Sequence, residues 1–469
     1  MSRDQRATCC GLSRRSLLRA ASAAALLPVV RAGSAGAQPN PLIATDLEVV
    51  TITESSVILT WTTLTPGPAG LLPTDAGTEV LLGPADATRA PATAFADAEP
   101  TPYHYAELDG LEPGRTYRFE ARSNGVRATP ALTLTTLAPG TPEATGEFTT
   151  LVPPPGRHLR TVALANDVHY GEEVSGLLVG DFPPGFRQDE PPYPEVMLAA
   201  MLDDLRRRGA EKLLLAGDLT SEAKPAEARA VRARLDGWGR FGHDYLVTRG
   251  NHDRPHVGYR DCPALPSATD HQDCWAEQFT PRQQLIEHET GGLRIIGLDT
   301  SELDGSGGSI ERPQFDRLTE LLRADPDRPT VLFGHHPITI ESGLTNPAGP
   351  GFVLNRADSA ELQDLYTRSP GVFLHHSGHT HRNRRTRPDA QCAVEFLEVA
   401  AVKEYPGGYC LLRLYEGGYT VNFYKTRTAA ARRWSTITRG EYFGLVPDYT
   451  SGTTADRNHV VLRDFSGLS

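Results

Sequence analysis

One pattern occurs five times in this chain: a short apolar run, of the kind that forms a buried strand, ends in Asp, Asn or His side chains. In α/β sheets, ligands bind at the carboxyl ends of the strands. Glycine beside the polar residue lets the backbone turn sharply, so that the side chains can approach a common centre. The pattern therefore predicts an α/β fold with one polar site at its strand ends. The five ends are Asp167-Val168-His169, Gly217-Asp218, Gly250-Asn251-His252-Asp253, Gly334-His335-His336 and Gly378-His379-Thr380-His381.

The residue types at these ends suit a transition-metal site. Side chains at i and i+2 of an extended segment point the same way, so Asp167 and His169 can reach one ion together. Mixed imidazole and carboxylate donors favour Mn, Fe or Zn over Ca or Mg. Each end taken alone has a simpler interpretation, because a single strand-end His is usually structural and Gly-Asp is an ordinary turn. The five ends together, in this order, indicate a metal centre.

This order of motifs resembles the calcineurin-like metallophosphoesterase superfamily, over residues 160–425. The resemblance implies an α/β four-layer sandwich of two mixed sheets flanked by helices, with two divalent or transition metal ions (Mn, Fe or Zn) at the strand ends. It implies that Asp218 bridges the two ions. The other ligands would be a first donor set of Asp167, His169 and His381, and a second donor set of Asn251, His335 and His379. We interpret His336 as structural or as a support for the ligands, and His375 and His376 as strand residues.

The resemblance also implies that a hydroxide bridging the two ions attacks the phosphorus atom of a phosphoester. Two ions about 3.5–4 Å apart can activate water and clamp the phosphoryl oxygens, so no Ser or Cys nucleophile is required. The alcohol that leaves needs a proton, and we predict that His252 supplies it as a general acid. Asp253 follows directly in the sequence and is predicted to orient the His252 imidazole.

One position departs from the purple acid phosphatases, which also carry a fibronectin-like domain ahead of the catalytic domain. Their iron-binding Tyr lies three residues after the bridging Asp, where this chain has Ser221. We therefore expect no Tyr-to-iron bond and no colour. The motifs look instead like the branch that includes class III cyclic-nucleotide phosphodiesterases, which favours a cyclic-nucleotide or glycerophosphodiester substrate.

Two other functions compete with a phosphodiesterase. A phosphomonoesterase, of the acid or alkaline phosphatase or nucleotidase type, would use the same ligands. A non-catalytic binding or scaffold protein on this fold would have lost ligands or the acid, and neither is missing here. The loops expected to select the substrate are residues 170–192, 254–280, 302–313 and 339–355, which offer Arg187, Arg254 and His256 as cations for a phosphate.

Residues 1–37 are predicted to be a twin-arginine signal peptide. Arg14 and Arg15 lie in the pattern Ser13-Arg14-Arg15-Ser16-Leu17-Leu18, and Ala35-Gly36-Ala37 is a small-residue cleavage site. The apolar run at residues 20–30 is shorter than the roughly 20 apolar residues that cross a bilayer. We therefore expect a secreted, periplasmic or cell-envelope protein, exported by the twin-arginine machinery, with no transmembrane segment after the signal is removed.

The net charge of the chain restricts the classes of partner that it is expected to bind. Removing residues 1–37 takes away six Arg and one Asp, which changes the formal net charge from −11 to −16. Duplex nucleic acid requires a basic face, so we expect no binding to it. A small phosphoester is the expected substrate.

The region ahead of the metal motifs is predicted to be a separate all-β domain. Residues 38–152 alternate apolar and polar side chains, and Leu111-Glu112-Pro113-Gly114-Arg115-Thr116-Tyr117 looks like the tyrosine corner of immunoglobulin-like sandwiches. With Trp61, this resembles a fibronectin type III domain. Its role is either that of a stable sandwich alone or that of a spacer or wall for the substrate. Residues 153–158 form the linker, residues 159–427 the catalytic domain and residues 428–469 a C-terminal extension.

The cysteines are consistent with an oxidising compartment. Cys9 and Cys10 leave with the signal, and four remain in the mature chain. Cys262 and Cys274 enclose a short loop and are expected to form a disulfide. Cys392 and Cys410 flank a predicted hairpin and are either paired or two buried thiols.

Overall fold

The computed structural model describes residues 41–68, 70–175, 191–387, 392–441 and 446–468. The predicted signal peptide and Arg187 lie outside these residues. Within them, no helix is long and apolar enough to cross a membrane.

The N-terminal region is built from strands because its sequence alternates apolar and polar residues, which gives each sheet one buried face. Its elements are β1 (Ile43–Ile52), β2 (Ser56–Gly67), β3 (Gly70–Pro73), β4 (Ala76–Pro84), β5 (Ala92–Thr101), β6 (Tyr103–Asp109), β7 (Thr116–Ser123), β8 (Val126–Arg127), α1 (Leu134–Leu137), α2 (Pro142–Thr145) and β9 (Glu147–Thr149).

These strands form two antiparallel sheets around a core of their own. One sheet has the order β1-β2-β3 with β6 on β2, and the other has the order β5-β4-β7-β8 with β9 on β7. Trp61 is 2% exposed and stacks on His104. The Tyr117 hydroxyl accepts a hydrogen bond of 2.9 Å from the backbone N–H of Glu112, the bond that a tyrosine corner makes.

The second region alternates strands and helices. Its elements up to the centre of the chain are β10 (His158–Ala165), α3 (Tyr193–Arg207), β11 (Lys212–Ala216), α4 (Pro225–Asp236), β12 (Tyr245–Thr248), β13 (His256–Val257), β14 (Ala264–Leu265), β15 (Ala268–Gln272), β16 (Ile286–Thr290), β17 (Leu293–Leu298) and α5 (Arg312–Ala324). α3 and α4 each begin with Pro in the first helical turn, where its missing N–H costs nothing.

The remaining elements complete two large sheets. They are β18 (Thr330–Gly334), α6 (Ile340–Thr345), a 3-10 turn (Pro350–Phe352), α7 (Arg356–Thr367), β19 (Val372–Ser377), β20 (Arg384–Thr386), β21 (Glu395–Glu398), β22 (Gly408–Tyr415), β23 (Gly418–Lys425), α8 (Ala429–Thr438), α9 (Val446–Thr450), α10 (Thr454–Arg457) and β24 (Asn458–Leu462). The hairpin predicted between two C-terminal strands is β22–β23. The C-terminal extension adds β24 to the same sheet.

Two six-stranded mixed sheets pack face to face in this region. Their strand orders are β12-β11-β10-β22-β23-β24 and β16-β17-β18-β19-β21-β20. β10, β11 and β12 run parallel in the first sheet, and β17, β18 and β19 run parallel in the second. β11 and β18 are buried along their whole length, as their continuous apolar sequences require. The carboxyl ends of β10, β11 and β12 in one sheet therefore lie beside those of β18 and β19 in the other.

The cysteines include one disulfide-bonded pair and a buried thiol. The predicted disulfide between Cys262 and Cys274 is confirmed, and it closes the loop that contains β14 and β15 of the small sheet β13-β15-β14. Cys410 is a fully buried thiol in β22 rather than a partner of Cys392.

Candidate metal centre

The backbone at the strand ends is held in a rare conformation. Asp167, His169, Asp218, His379 and His381 have φ angles of 54°, 48°, 52°, 67° and 53°. Side-chain-bearing residues seldom adopt this left-handed region, each costs of order 1–3 kcal/mol there, and such strain concentrates at functional sites. Five of the seven predicted metal ligands share this conformation, so the fold is strained where the motifs lie.

Glycines allow the strand ends to pack against one another. A Cβ atom on Gly250 would lie 2.2 Å from Asp218 Oδ1, and one on Gly378 would lie 2.6 Å from Asp167 Oδ2. A Cβ atom on Gly217 would lie 2.7 Å from His335 Nδ1. No real Cβ atom approaches so closely, and for this reason the motifs contain glycine at these positions.

The second donor set and Asp218 converge around one nitrogen atom, His335 Nε2. His335 Nε2 lies 3.1 Å from Asp218 Oδ2 and 3.1 Å from Asn251 Oδ1. The same nitrogen lies 3.0 Å from His379 Nδ1. The four predicted donors of the second ion are thus side by side, and at most 4% of each residue is exposed.

The first donor set lies on the other side of Asp218. His381 Nε2 is 3.2 Å from Asp167 Oδ1. His169 Nε2 is 3.8 Å from the same oxygen and 3.6 Å from Asp218 Oδ2. The structure therefore brings all seven predicted ligands into one cluster, with Asp218 between the two sets.

Hydrogen bonds at the far side of two rings fix which nitrogen faces the cluster. His335 Nδ1 donates to the carbonyl oxygen of Ala216 over 2.8 Å, and His381 Nδ1 donates to Glu404 Oε1 over 2.7 Å. Because these acceptors have no proton to give, Nδ1 carries a proton in both rings, and Nε2 is the nitrogen that faces the cluster. Neutral imidazole presenting one lone pair is the form that binds metals.

The charges of the cluster balance each other. Burial alone would raise the pKa values of Asp167 and Asp218, but neighbouring histidines, above all His381 and His335, hold both well below the usual range. Burial would lower the pKa of His335, but the Asp218 carboxylate outweighs it and raises that pKa to about 9. Burial and the Lys403 ammonium lower the pKa of His169 to about 4. Both carboxylates are therefore ionised, as metal ligands must be.

The donor set fits a pair of metal ions. Asp167 Oδ1 and His169 Nε2 are buried and have no hydrogen-bond partner among the described residues. Buried polar atoms without partners are costly unless another group satisfies them. Two carboxylates, one amide oxygen and four imidazoles form a donor set typical of Mn, Fe and Zn.

His252 lies at the edge of the cluster, where the sequence placed the acid. Its ring is centred 4.5 Å from that of His169, and its backbone N–H donates to Asp218 Oδ1 over 2.8 Å. Its Nδ1 donates to the carbonyl oxygen of Ser221 over 2.7 Å. The atom left to give a proton is therefore Nε2.

The predicted role of Asp253 is wrong. Its carboxylate does not hold the His252 ring; it accepts hydrogen bonds from the backbone N–H groups of Leu219, Thr220 and Gly250 and from the Thr220 hydroxyl, over 2.6–3.1 Å. Neighbouring side chains in a tight turn need not point the same way, and this one turns inward. Asp253 ties the loop after β11 to the loop after β12, and the Ser221 carbonyl orients His252.

The sequence did not indicate three groups that support the ligands. Glu404 holds His381, and the Phe352 ring stacks on His379 with centroids 3.8 Å apart. The Thr300 hydroxyl bonds to His336 Nδ1 over 2.8 Å, which places the His336 ring 4.6 Å from that of His379. His336 is thus a buried neighbour of the ligands. No local motif marks Glu404 or Phe352, since each is far from its partner in the sequence.

Residues 160–383, just under half of the chain, match the family model described as calcineurin-like phosphoesterase. The fold is therefore that of a metallophosphoesterase, as predicted. The family match and the cluster together identify a metal-dependent phosphoester hydrolase domain.

Individual relatives are more distant. A probable cyclic nucleotide phosphodiesterase from Synechococcus sp. is 28% identical over 184 residues, which are 39% of this chain and 63% of that protein. A dimetal phosphatase from Danio rerio is 15% identical with a TM-score of 0.42, covering 57% of this chain and 96% of the other. A purple acid phosphatase from yellow lupin (Lupinus luteus) is 15% identical with a TM-score of 0.40, covering 83% of this chain and 73% of the other.

Proposed function

We propose that this protein is an exported phosphodiesterase that works with two divalent or transition metal ions. The observation that carries the proposal is the convergence of six donors, five of them buried, around Asp218, with His252 at the edge. When bound, the two ions would supply Lewis acidity for the phosphoryl oxygens and an activated water. The first donor set, with Asp218, would hold one ion, and the second donor set, with Asp218, would hold the other.

The protein's own residues have three tasks in this reaction. The buried carboxylates of Asp167 and Asp218 supply the negative charge of the cluster. The Ala216 carbonyl and Glu404 keep His335 and His381 turned toward it. His252, held through Nδ1, gives a proton from Nε2 to the oxygen of the leaving alcohol.

A diester is favoured over a monoester by two considerations. Ser221 stands where the purple acid phosphatases have their iron-binding Tyr, so the side chain that marks those phosphatases is missing. The relative from Synechococcus sp. is described as a probable cyclic nucleotide phosphodiesterase. Cyclic nucleotides and glycerophosphodiesters are therefore the first substrates to test.

The test is turnover of bis(p-nitrophenyl) phosphate against p-nitrophenyl phosphate by residues 38–469, stripped of metal and reconstituted with Mn²⁺. We expect a kcat/KM at least about tenfold higher for the diester, a difference of about 1.4 kcal/mol in transition-state binding. A preference for the monoester would replace the proposal with a phosphatase. Absence of turnover with both substrates, in a protein that binds no metal, would favour a scaffold.

We propose in addition that the twin-arginine pathway exports the protein and that residues 38–152 form a fibronectin type III-like domain. The pattern around Arg14 and Arg15 supports export, as does the disulfide between Cys262 and Cys274. Replacing both arginines by lysine should leave the protein in the cytoplasm, as measured by cell fractionation. An unchanged distribution would contradict export by this route. The two antiparallel sheets and the Tyr117 hydrogen bond support the domain type.

A further inference from the structure

The loop between β21 and β22, residues 399–407, touches both the metal cluster and the N-terminal domain. On the cluster side, its Lys403 N–H donates to the carbonyl oxygen of Asp167 over 3.2 Å. The next residue, Glu404, accepts from His381 Nδ1 over 2.7 Å. The loop therefore contacts two of the three residues in the first donor set.

On the opposite side, the same loop is anchored to the other domain. The Tyr405 hydroxyl donates to Glu48 Oε1 over 2.5 Å, and Glu48 belongs to β1 of the N-terminal region. Tyr405 is 1% exposed and Glu48 is 6% exposed, so this bond lies inside the interface between the domains. One peptide unit separates the residue that holds the ligand from the residue that the N-terminal domain holds.

Local features of β1 aim Glu48 at this loop. The pairing of β1 with β2 shifts register between Thr45 and Glu48, and Asp46 has a φ of 57°. Such an irregularity re-aims the side chains of an edge strand. Lys425 of the catalytic region and Arg439 of the C-terminal extension reach Glu48 at 2.5 and 3.3 Å. Burial would raise the pKa of Glu48, but these two cations outweigh it and lower the pKa to about 2, which keeps the carboxylate charged.

The rest of the interface holds the two domains in a fixed relation. The Thr51 hydroxyl donates to the carbonyl oxygen of Phe423 over 2.6 Å, and Asn422 Nδ2 donates to that of Ile52 over 2.8 Å. Asn458 Nδ2 donates to the carbonyl oxygen of Val50 over 3.0 Å. These bonds hold residues 50–52 at the end of β1, two to four residues beyond Glu48, and so fix the strand that carries the Glu48 carboxylate.

We infer that the N-terminal domain is a positioning element of the metal centre, acting through Glu48 and Tyr405 on the loop that presents Glu404 to His381. The inference rests on the proposed metal centre and adds a role for the sandwich domain beyond that of a spacer. Groups that orient metal ligands from behind are worth about 10–100-fold in metal affinity. We expect the Glu48–Tyr405 contact to contribute at the lower end of that range, because it acts through one further residue.

The experiment compares Tyr405→Phe with Thr51→Val in the full mature chain. Each variant loses one buried hydrogen bond between the domains, at a cost of about 1 kcal/mol. Tyr405→Phe also loses the 2.7 Å hydrogen bond between the Tyr405 hydroxyl and Ser451 Oγ, so Ser451→Ala, which removes that bond alone, is a second control. Tyr405 belongs to the loop of residues 399–407, whereas Thr51 bonds to Phe423 in β23. Calorimetric titration of Mn²⁺ into the metal-free proteins measures binding, and thermal unfolding of the same samples measures stability.

We expect Tyr405→Phe to weaken one of the two Mn²⁺ sites by about tenfold and Thr51→Val to leave both unchanged, with similar losses of thermal stability. Glu404→Gln should weaken the same site as Tyr405→Phe and by more. Equal Mn²⁺ affinities for Tyr405→Phe and Thr51→Val would overturn the inference. If Tyr405→Phe does not fold, Glu48→Asp withdraws the carboxylate from Tyr405 while keeping its charge beside Lys425, and must weaken the same site.

The wild-type titration separates the two claims. A wild type that binds two ions, with a Tyr405→Phe variant that binds them equally well, contradicts the positioning role alone. A wild type that binds no Mn²⁺ contradicts the metal centre itself, and with it the positioning role.

Discussion

The two donor sets are held in different ways, although they share Asp218. The second set is held by the core: the carbonyl of Ala216 in β11 fixes His335, and Phe352 covers His379. The first set is held from outside the core: Glu404, on a loop anchored to the N-terminal domain, fixes His381. The first set has a carboxylate of its own, Asp167, whereas the second has the neutral Asn251. The first donor set thus carries more charge and is supported through a loop that contacts the N-terminal domain. The second carries less charge and is supported by direct packing.

Removing the shared carboxylate should have the largest effect, because it acts on both sets. Asp218→Asn is expected to lower affinity for both ions and to reduce kcat/KM by more than about a thousandfold, equivalent to about 4 kcal/mol. Metal content after gel filtration and diester turnover measure the two effects. Loss of one ion only would show that Asp218 belongs to one set and does not bridge them.

Removing the proposed general acid, His252, should leave metal binding by both donor sets unchanged. His252→Ala is expected to lower turnover of an alkyl diester by about 10²–10⁴-fold, as loss of a general acid does, while two ions stay bound. A p-nitrophenyl diester is the control, since its leaving group needs little protonation and the loss should be much smaller. Near-full activity on the alkyl diester would exclude His252 as the acid.

Substituting Asp253 tests whether this residue positions the second donor set, as its hydrogen bonds indicate, or orients His252, as the sequence suggested. Asp253→Asn disturbs the bonds that tie the loop of Asp218 to the loop of Asn251. We expect about a 10–100-fold loss of affinity for an ion, with a smaller loss of turnover at saturating Mn²⁺. Unchanged Mn²⁺ binding together with reduced turnover would instead support the original orientation role.

The smallest effect on turnover at neutral pH is expected for Glu48→Gln, which acts through the supports of the first set. The main effect of this substitution is expected on the stability of the folded protein. The pKa of Glu48 is lowered from 4.5 to about 2 in the folded state, so its charge stabilises the fold above pH 4.5 and this contribution is lost as the pH falls toward 2. The shift is worth about 3 kcal/mol.

Urea unfolding of the metal-free proteins from pH 7 to pH 3 checks this. The wild type should exceed Glu48→Gln in stability at pH 7, and the gap should narrow as the pH falls. A constant gap would mean that the Glu48 charge is not what stabilises the interface.

The sequence contained most of the cluster because strand ends are local features. A buried apolar run followed by Gly and a donor predicts where a side chain emerges, and the parallel order of strands brings such ends to one edge. Asp167, His169, Asp218, Asn251, His335, His379 and His381 were all predicted in this way or through the family resemblance, and the structure brings them together.

The supports of the cluster were not predictable in the same way. Glu404 lies 23 residues beyond His381, and Glu48 lies 357 residues before Tyr405, so only the tertiary packing brings each pair together. Asp253 shows the opposite error: adjacency to His252 suggested a contact, but the turn directs its carboxylate to backbone N–H groups. Sequence motifs predict the ligands, and long-range contacts decide what holds them.

Counting the ions tests the central claim most directly. Calorimetric titration of Mn²⁺ into the metal-free mature protein, and into Asn251→Ala, separates the two donor sets. The proposed centre predicts two ions per wild-type chain and one per Asn251→Ala chain, because only the second set loses a ligand. A wild type with a single site, or an Asn251→Ala variant that keeps both ions at unchanged affinity, would contradict a centre built from two donor sets that share Asp218.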